Sequence, residues 1–367
     1  MRKLSLFLVT VLMLTTIAAG ASFSVSASDV ALSGNCGNSG DNVTFSYDAA
    51  TETLTLSGEG DTEMIPFMVP WNKKGYPKVS ALVIEEGVTS ICDDLFGTCS
   101  DLIRVSLPST LTSIGSRAFQ DCTSLSEINL PDGLTSIDDD AFSRCTSLES
   151  ISLPGGVSAI PSGLFSECEN LASVTIGAGV TAIESKAFMD CKKLASITLP
   201  NGVTEIGEKA FSGCEALSSI TLPTGLKTIG DQAYAYCANI ERVAIPNGVA
   251  SIGDSAFYAC TSLSEITIPA GVTEIGYNAF STYADAVRIF YSGTEEAWNA
   301  IENTDDYKDG YSITFGGEVE SDASDSNGSE KSSSGCGSAL ALNAGLPLLL
   351  TLFVMVPVIG KRKVEEQ

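Results

Sequence analysis

Histidine is absent from this 367-residue chain. Without an imidazole there is no Ser-His-Asp triad, no Cys-His nucleophile and no zinc site of the histidine-bearing kind. Positive charge is scarce as well, with 20 Lys and Arg against 45 Asp and Glu and a formal net charge of −25. Between residues 28 and 335 the balance is 15 basic against 43 acidic residues. Such a surface repels a phosphate backbone, so nucleic acid is excluded as a partner. Paired carboxylates remain available for acid/base work, and the runs Asp138-Asp139-Asp140 and Asp305-Asp306 offer them. Neither has the glycine-bearing spacing of a calcium loop. The composition therefore points away from an enzyme and toward a protein with no cofactor and no metal.

What the chain has in abundance is repetition. From Val88 it reads as nine blocks of 23 residues without an insertion, beginning at 88, 111, 134, 157, 180, 203, 226, 249 and 272. Position 4 is Ile in every block, position 9 is Phe except for Tyr234, and position 12 is Cys in eight of nine. Positions 15, 18 and 20 are apolar, and Pro and Gly follow. A period of this length is a solenoid signature, because one block cannot bury its own apolar side chains and must stack on the next. Alternation at positions 18 and 20, as in Ile197-Thr198-Leu199, predicts a short strand. Stacking turns these strands into a parallel ladder roughly 40 Å long at about 4.8 Å per strand. Pro at position 21 belongs at the strand's end, since it donates no ladder hydrogen bond. Segments such as 203–206 predict a second short strand, and the Ala-Phe-x-x-Cys piece predicts one turn of helix.

The recurring pattern LxxIxLPxxVTxIGxxAFxxC resembles the BspA-type leucine-rich repeats of bacterial and protist surface proteins, over about residues 79 to 294. The resemblance implies a curved leucine-rich-repeat solenoid displayed outside the cell and associated with adhesion to host matrix proteins and other cells. It brings no catalytic residues. The expected function is that of a cell-surface binding protein whose partner is a protein or glycan on another cell or in the extracellular matrix. A passive envelope spacer without a specific ligand is the alternative. Local departures from the pattern are Cys92, Asp138, Pro161 and Glu184 in place of the Gly after Ile, and Tyr283 in place of the last Cys.

Flanking segments fit surface display. Residues 1–27 have Arg2-Lys3, an apolar run and small residues, which reads as a secretory signal peptide. Residues 28–87 alternate like strands over 43–47 and 53–57 and are expected to cap the first repeat, although Trp71 with Lys73, Lys74 and Lys78 offers a ligand contact instead. The repeats run from 88 to 294. A C-terminal cap is expected over 295–317, with helix-start chemistry at Thr294-Glu295-Glu296 and one more strand over 311–315. Residues 318–335 are Ser, Asp, Glu, Gly and Asn with almost nothing apolar, a disordered linker. An apolar stretch from Ala339 to Gly360 is long enough to span a membrane, and Lys361-Arg362-Lys363 then stays cytoplasmic. Residues 336–367 thus read as a membrane anchor that leaves the repeats on the extracellular face of a bacterial membrane. No LPxTG precedes it. The tail resembles the sorting tails of some bacterial surface proteins, in which case Cys336 is a processing or lipid-attachment site. A plain anchor with an incidental Cys is the other reading.

Two rows of residues carry the remaining expectations. Cys99, 122, 145, 168, 191, 214, 237 and 260 lie 23 apart and occupy one equivalent site in stacked coils. Parallel side chains favour a ladder of free thiols acting as small apolar filler, while the repeat spacing also falls within disulfide reach. Positions 17 and 19 alternate with the buried strand residues and are the expected contact face, on the concave side of the solenoid. They include Glu127, Asn129, Ser150, Ser152, Ser173, Thr175, Ser196, Thr198, Ser219, Thr221, Arg242, Glu265 and Thr267. The middle of that row is rich in hydroxyls, and its charges lie toward the ends.

Overall fold

A computed structural model of the chain describes residues 33–38, 42–63, 77–282, 287–301 and 311–316. The expected signal peptide, linker and membrane anchor lie outside these residues, as do Trp71, Lys73, Lys74, Tyr283, Asp305, Asp306 and Cys336. Among the described residues no helix is long and apolar enough to cross a membrane.

Each repeat makes three sides around one apolar interior. The first is a strand at positions 17 to 19, such as Arg104–Ser106, Ser150–Ser152 and Arg242–Ala244. The second is a shorter strand at positions 3 and 4, such as Ser113–Ile114 and Glu205–Ile206. Both pair in parallel with their equivalents one repeat away, Arg242 with Glu265 and Glu205 with Thr228. The register is therefore the sequence period itself, and a slip of one residue would turn the buried Ile row outward. The third side, positions 5 to 12, is a wall of consecutive turns.

The interior is built from like side chains on like. The rings at position 9 form one continuous stack from Phe96 to Phe280, through Tyr234, with neighbouring centroids 5.1 to 6.2 Å apart and nearly parallel planes. Flanking rows of Ile at position 4 and Leu or Ile at position 15 are equally buried. Offset stacked rings add to the area they bury.

The wall departs from the expected helical turn. Amides at even positions make bonds back to residue i−3, as Gln120 to Arg117 at 3.1 Å and Cys122 to Phe119 at 3.2 Å. Amides at odd positions point along the solenoid instead: Asp94, Phe96 and Thr98 donate to the carbonyls of Ser116, Ala118 and Gln120 in the next repeat at 2.6 to 2.9 Å. Alternating the amides this way requires left-handed backbone, found at positions 7 and 11 from Asp94 to Asn278. Only Gly163 and Gly213 are glycines there; the others include Arg117, Glu167, Lys186 and Tyr236. Left-handed non-glycine residues cost about 1 to 2 kcal/mol each, and the bonds between repeats offset that cost.

Both ends are closed. At the N-terminal end Ser33–Asn35, Thr44–Asp48 and Thr53–Ser57 form an antiparallel meander whose last strand pairs in parallel with Ala81–Ile84 and so starts the first ladder. At the other end Arg288–Tyr291 pairs with Ser312–Phe315. The helix Glu295–Asn299, capped by the Thr294 side chain on the Ala297 amide, lays Trp298 edge-on against Tyr291 at 5.2 Å.

One seam interrupts the second ladder. In seven repeats the amide at position 5 donates to the Ile carbonyl of the preceding repeat at 2.7 to 2.9 Å, as Gly207 does to Ile183. Pro161 holds that position in the fourth repeat and has no N–H to give. There the second ladder splits into a four-stranded and a six-stranded sheet, between Ser136–Ile137 and Ala159–Ile160. The first ladder parts elsewhere, one repeat earlier between Glu127–Ile128 and Ser150–Ser152, and again between Ser173–Thr175 and Arg242–Ala244, where an isolated Thr198–Thr221 bridge remains. At the Pro161 level the first ladder stays paired, Ser150 with Ser173, and the Phe142 and Phe165 rings stand 6.0 Å apart. The wall stays bonded, with Arg144 paired to Glu167 at 3.1 Å.

Replacing Phe188 by Ala, in a central repeat with stacked rings on both sides, is expected to cost about 3 to 5 kcal/mol in denaturant unfolding. A loss below about 1 kcal/mol, typical of a surface change, would contradict the stacking. Hydrogen exchange is expected to be faster at the Ser158 amide, beside the seam, than at Thr181, whose amide donates to Ser158 at 2.8 Å.

Candidate functional site

The cysteine row illustrates how the interior handles polarity. Cys99 and its seven successors are buried and free. From Cys122 onward each thiol donates to the position 9 carbonyl of the preceding repeat at 3.1 to 3.3 Å, Cys191 to Phe165 for example. That carbonyl already accepts the amide of its own repeat's Cys, and the thiol fills its second lone pair. Serine would offer the same bond with a far larger desolvation cost if misplaced, and alanine would offer none. Burial pushes the thiols up, to about 12 at Cys99, Cys168 and Cys260, and well up at Cys145 and Cys191, where neighbouring cysteines add to it. A row like this is structural and does not supply a nucleophile.

The residues at positions 17 and 19 stand where the alternation puts them. Glu127, Asn129, Ser150, Ser152, Ser173, Thr175, Ser196, Thr198, Ser219, Thr221 and Arg242 are exposed, and Glu265 and Thr267 are half-buried. Register brings opposite charges together at both ends of the row: Arg104 faces Glu127, and Glu265 lies between Arg242 and Arg288. Arg288 reaches Glu265 at 3.0 Å and lies over the Phe290 ring at 6.0 Å. In the middle, Ser150 faces Ser173 and Ser152 faces Thr175, and a single bridge joins Thr198 to Thr221. The hydroxyl-rich centre is thus the most sparsely bonded part of the first ladder.

Depressions in the surface lie on the second ladder. One of about 510 Å³ has Gly207, Gly230, Gly253 and Gly276 along its floor, with Glu205, Glu208, Asp231, Asp254 and Glu274 around it. A second, of about 320 Å³, sits on the Pro161 seam and takes in Asp138, Asp139 and Glu184. A third, of about 400 Å³, is lined by Glu63, Asp93 and Asp138. None of the three is lined by position 17 or 19. The glycine row is imposed by packing, since a Cβ on Gly207 would come within 2.7 Å of the Ser185 amide nitrogen. Sequence reasoning passed over this side; its signal was the Ile-Gly pair followed by acids at position 6. Of the expected carboxylate runs, Asp138 and Asp139 are exposed at the seam, and the Asp140 carboxyl is raised by burial and by Asp139.

The sequence matches the family described as BspA type leucine rich repeat region, in six copies over residues 74–195 and 181–294. No curated protein matches it. Among solved structures, it is similar to a leucine rich cell surface protein from Faecalibacterium prausnitzii A2-165 at 26% identity, covering 75% of this chain and 98% of that one with a TM-score of 0.32. A leucine-rich repeat protein from Bacteroides ovatus ATCC 8483 is similar at 22% identity, over 74% and 98%, with a TM-score of 0.33. The pneumococcal vaccine antigen PcpA is similar at 15% identity, over 77% and 98%, with a TM-score of 0.38.

The buried thiols make stability fall with rising pH. A thiol with an unperturbed value of about 8.5 ionises in the unfolded chain first, so the folded state holds more protons above that pH and loses stability until its own value is reached. Melting temperature is expected to drop between about pH 9 and pH 12, and to drop less when Cys168 is replaced by Ala. A thiol reagent at pH 8 is expected to leave all eight row cysteines unmodified until denaturant is added.

Proposed function

The chain belongs to the family of BspA-type leucine-rich repeat proteins, and from that footing we propose that it is a cell-surface binding protein that attaches its bearer to proteins or glycans of another cell or of extracellular matrix. The observation that carries this reading is a run of nine repeats whose interior keeps nearly the same apolar side chains while positions 17 and 19, mostly exposed, vary from Arg and Glu to Ser and Thr. A rigid row of freely variable side chains is what repeat proteins use for recognition. The secretory signal and apolar C-terminal segment read from the sequence support display outside the cell, and the acidic balance favours partners that are not polyanions.

The hydroxyl-rich centre favours a second reading, a passive envelope spacer. Recognition surfaces concentrate binding in aromatic and Arg anchors, and Ser196, Thr198, Ser219 and Thr221 supply none. The purified chain is expected to bind at least one member of a panel of matrix proteins, mucin and bacterial surfaces. Replacing those four residues by Lys is expected to weaken that binding at least about tenfold, or about 1.4 kcal/mol. Absence of binding to the whole panel would leave the spacer reading standing.

A further inference from the structure

The wall of turns changes character along the solenoid. Positions 7 to 11 carry at least one charged side chain in each of the first six repeats and none in the last three, which read QAYAY from 232, SAFYA from 255 and NAFST from 278. In a chain with a net charge of −25, three successive repeats without charge on one side form a distinct surface.

Tyrosine stands on that surface in each of the three repeats. Tyr236 is 52% exposed and Tyr277, at the edge in position 6, is 59% exposed; only Ile103 joins them as an exposed large hydrophobic residue among the described residues. Tyr258 is half-buried in the intervening repeat, its ring edge-on to Tyr236 at 5.6 Å. Backbone bonds tie the three together: the Tyr236 amide donates to the Tyr258 carbonyl at 2.7 Å, and the Ser255 amide to the Tyr277 carbonyl at 2.8 Å. The rings therefore project from a fixed frame and lose little freedom on binding. Gln232, Ser255 and Asn278, at position 7 of the same repeats, surround them with neutral donors and acceptors.

This mixture of Tyr, Ser, Asn and Gln is that of an adaptable polar contact surface with rigid aromatic platforms. Two features narrow the partner. No aliphatic side chain is exposed beside the rings, so the apolar centre that a protein interface buries is missing. Asp231 and Asp254 border the surface at position 6, the latter accepting the Tyr277 amide at 2.7 Å, and they repel anionic ligands. We propose that the wall of repeats seven to nine is a contact surface for neutral oligosaccharide, whose sugar rings lie on Tyr236 and Tyr277 and whose hydroxyls reach Gln232, Ser255 and Asn278. The proposal rests on the reading of the chain as a surface binding protein and gives it a second, carbohydrate-specific face.

The test uses the purified full chain on an array of neutral and sialylated oligosaccharides, beside the Tyr236→Ala/Tyr277→Ala variant. Both rings are exposed, and an unchanged melting temperature verifies the variant's fold. Retention of neutral members only, weakened at least tenfold in the variant, is the expected result. An array on which no neutral sugar is retained, or on which the variant binds as well as the parent, overturns the proposal. Continued binding to matrix proteins in that event would leave the general binding function intact. Attachment to cells that needs the two tyrosines but survives periodate oxidation of the cells' sugars would assign the surface to a protein partner and would equally overturn the proposal.

Discussion

The buried rows of this solenoid are each packed by their own equivalents one repeat away. Phe188 is held between Phe165 and Phe211, and the Ile row at position 4 and the Leu row at position 15 follow the same rule. A block of 23 residues has no interior of its own, so the hydrophobic gain exists only between neighbours. That makes the period a physical requirement. Inserting one residue into a single repeat would put Phe against a turn and Ile against solvent in every contact across that level. The end caps follow from the same condition, because the first and last repeats each have one unpartnered face that the N-terminal meander and Trp298 cover.

Polar groups are settled by the same translation. Second-ladder amides at positions 2 and 5 bond backward and wall amides at positions 7, 9 and 11 bond forward, and the thiol at position 12 satisfies a carbonyl one repeat behind. Because these bonds recur at every level, losing one is visible. Pro161 removes a single donor, and the second ladder parts at that level while the first ladder, the wall and the ring stack continue. Buried apolar contact and the two remaining bonded sides thus hold adjacent repeats together where one of the three hydrogen-bonded sides is interrupted.

A core fixed so tightly leaves the exposed positions free. Three surfaces use that freedom differently: charged ends and a hydroxyl centre on the first ladder, acid-rimmed depressions over a glycine floor on the second, and a wall that passes from paired charges to tyrosine and amides. The cross-repeat ion pairs of the wall, Arg117 with Asp94 and Arg144 with Glu167, are exposed and contribute little to stability. Their loss in the last three repeats therefore costs the fold little and frees that side for neutral chemistry.

The repeat, its buried rows, both strand positions and the family were legible in the sequence because each depends on contacts between residues at a constant spacing. The exposed row from Glu127 to Thr267 was legible for the same reason, since alternation alone fixes which side of a strand a residue takes. The form of the wall was not legible. Ala-Phe-x-x-Cys suits a helical turn locally, and only the carbonyls of the next repeat, which no local pattern contains, draw the odd amides outward and hold Arg117 or Tyr236 in left-handed backbone. The tertiary structure alone also showed that the second ladder opens at Pro161 and that depressions form along the Ile-Gly side. It likewise brought Tyr236, Tyr258 and Tyr277, at positions 11, 10 and 6 of three repeats, onto one surface. Sequence period tells which residues are equivalent; which non-equivalent residues become neighbours depends on how the coil closes.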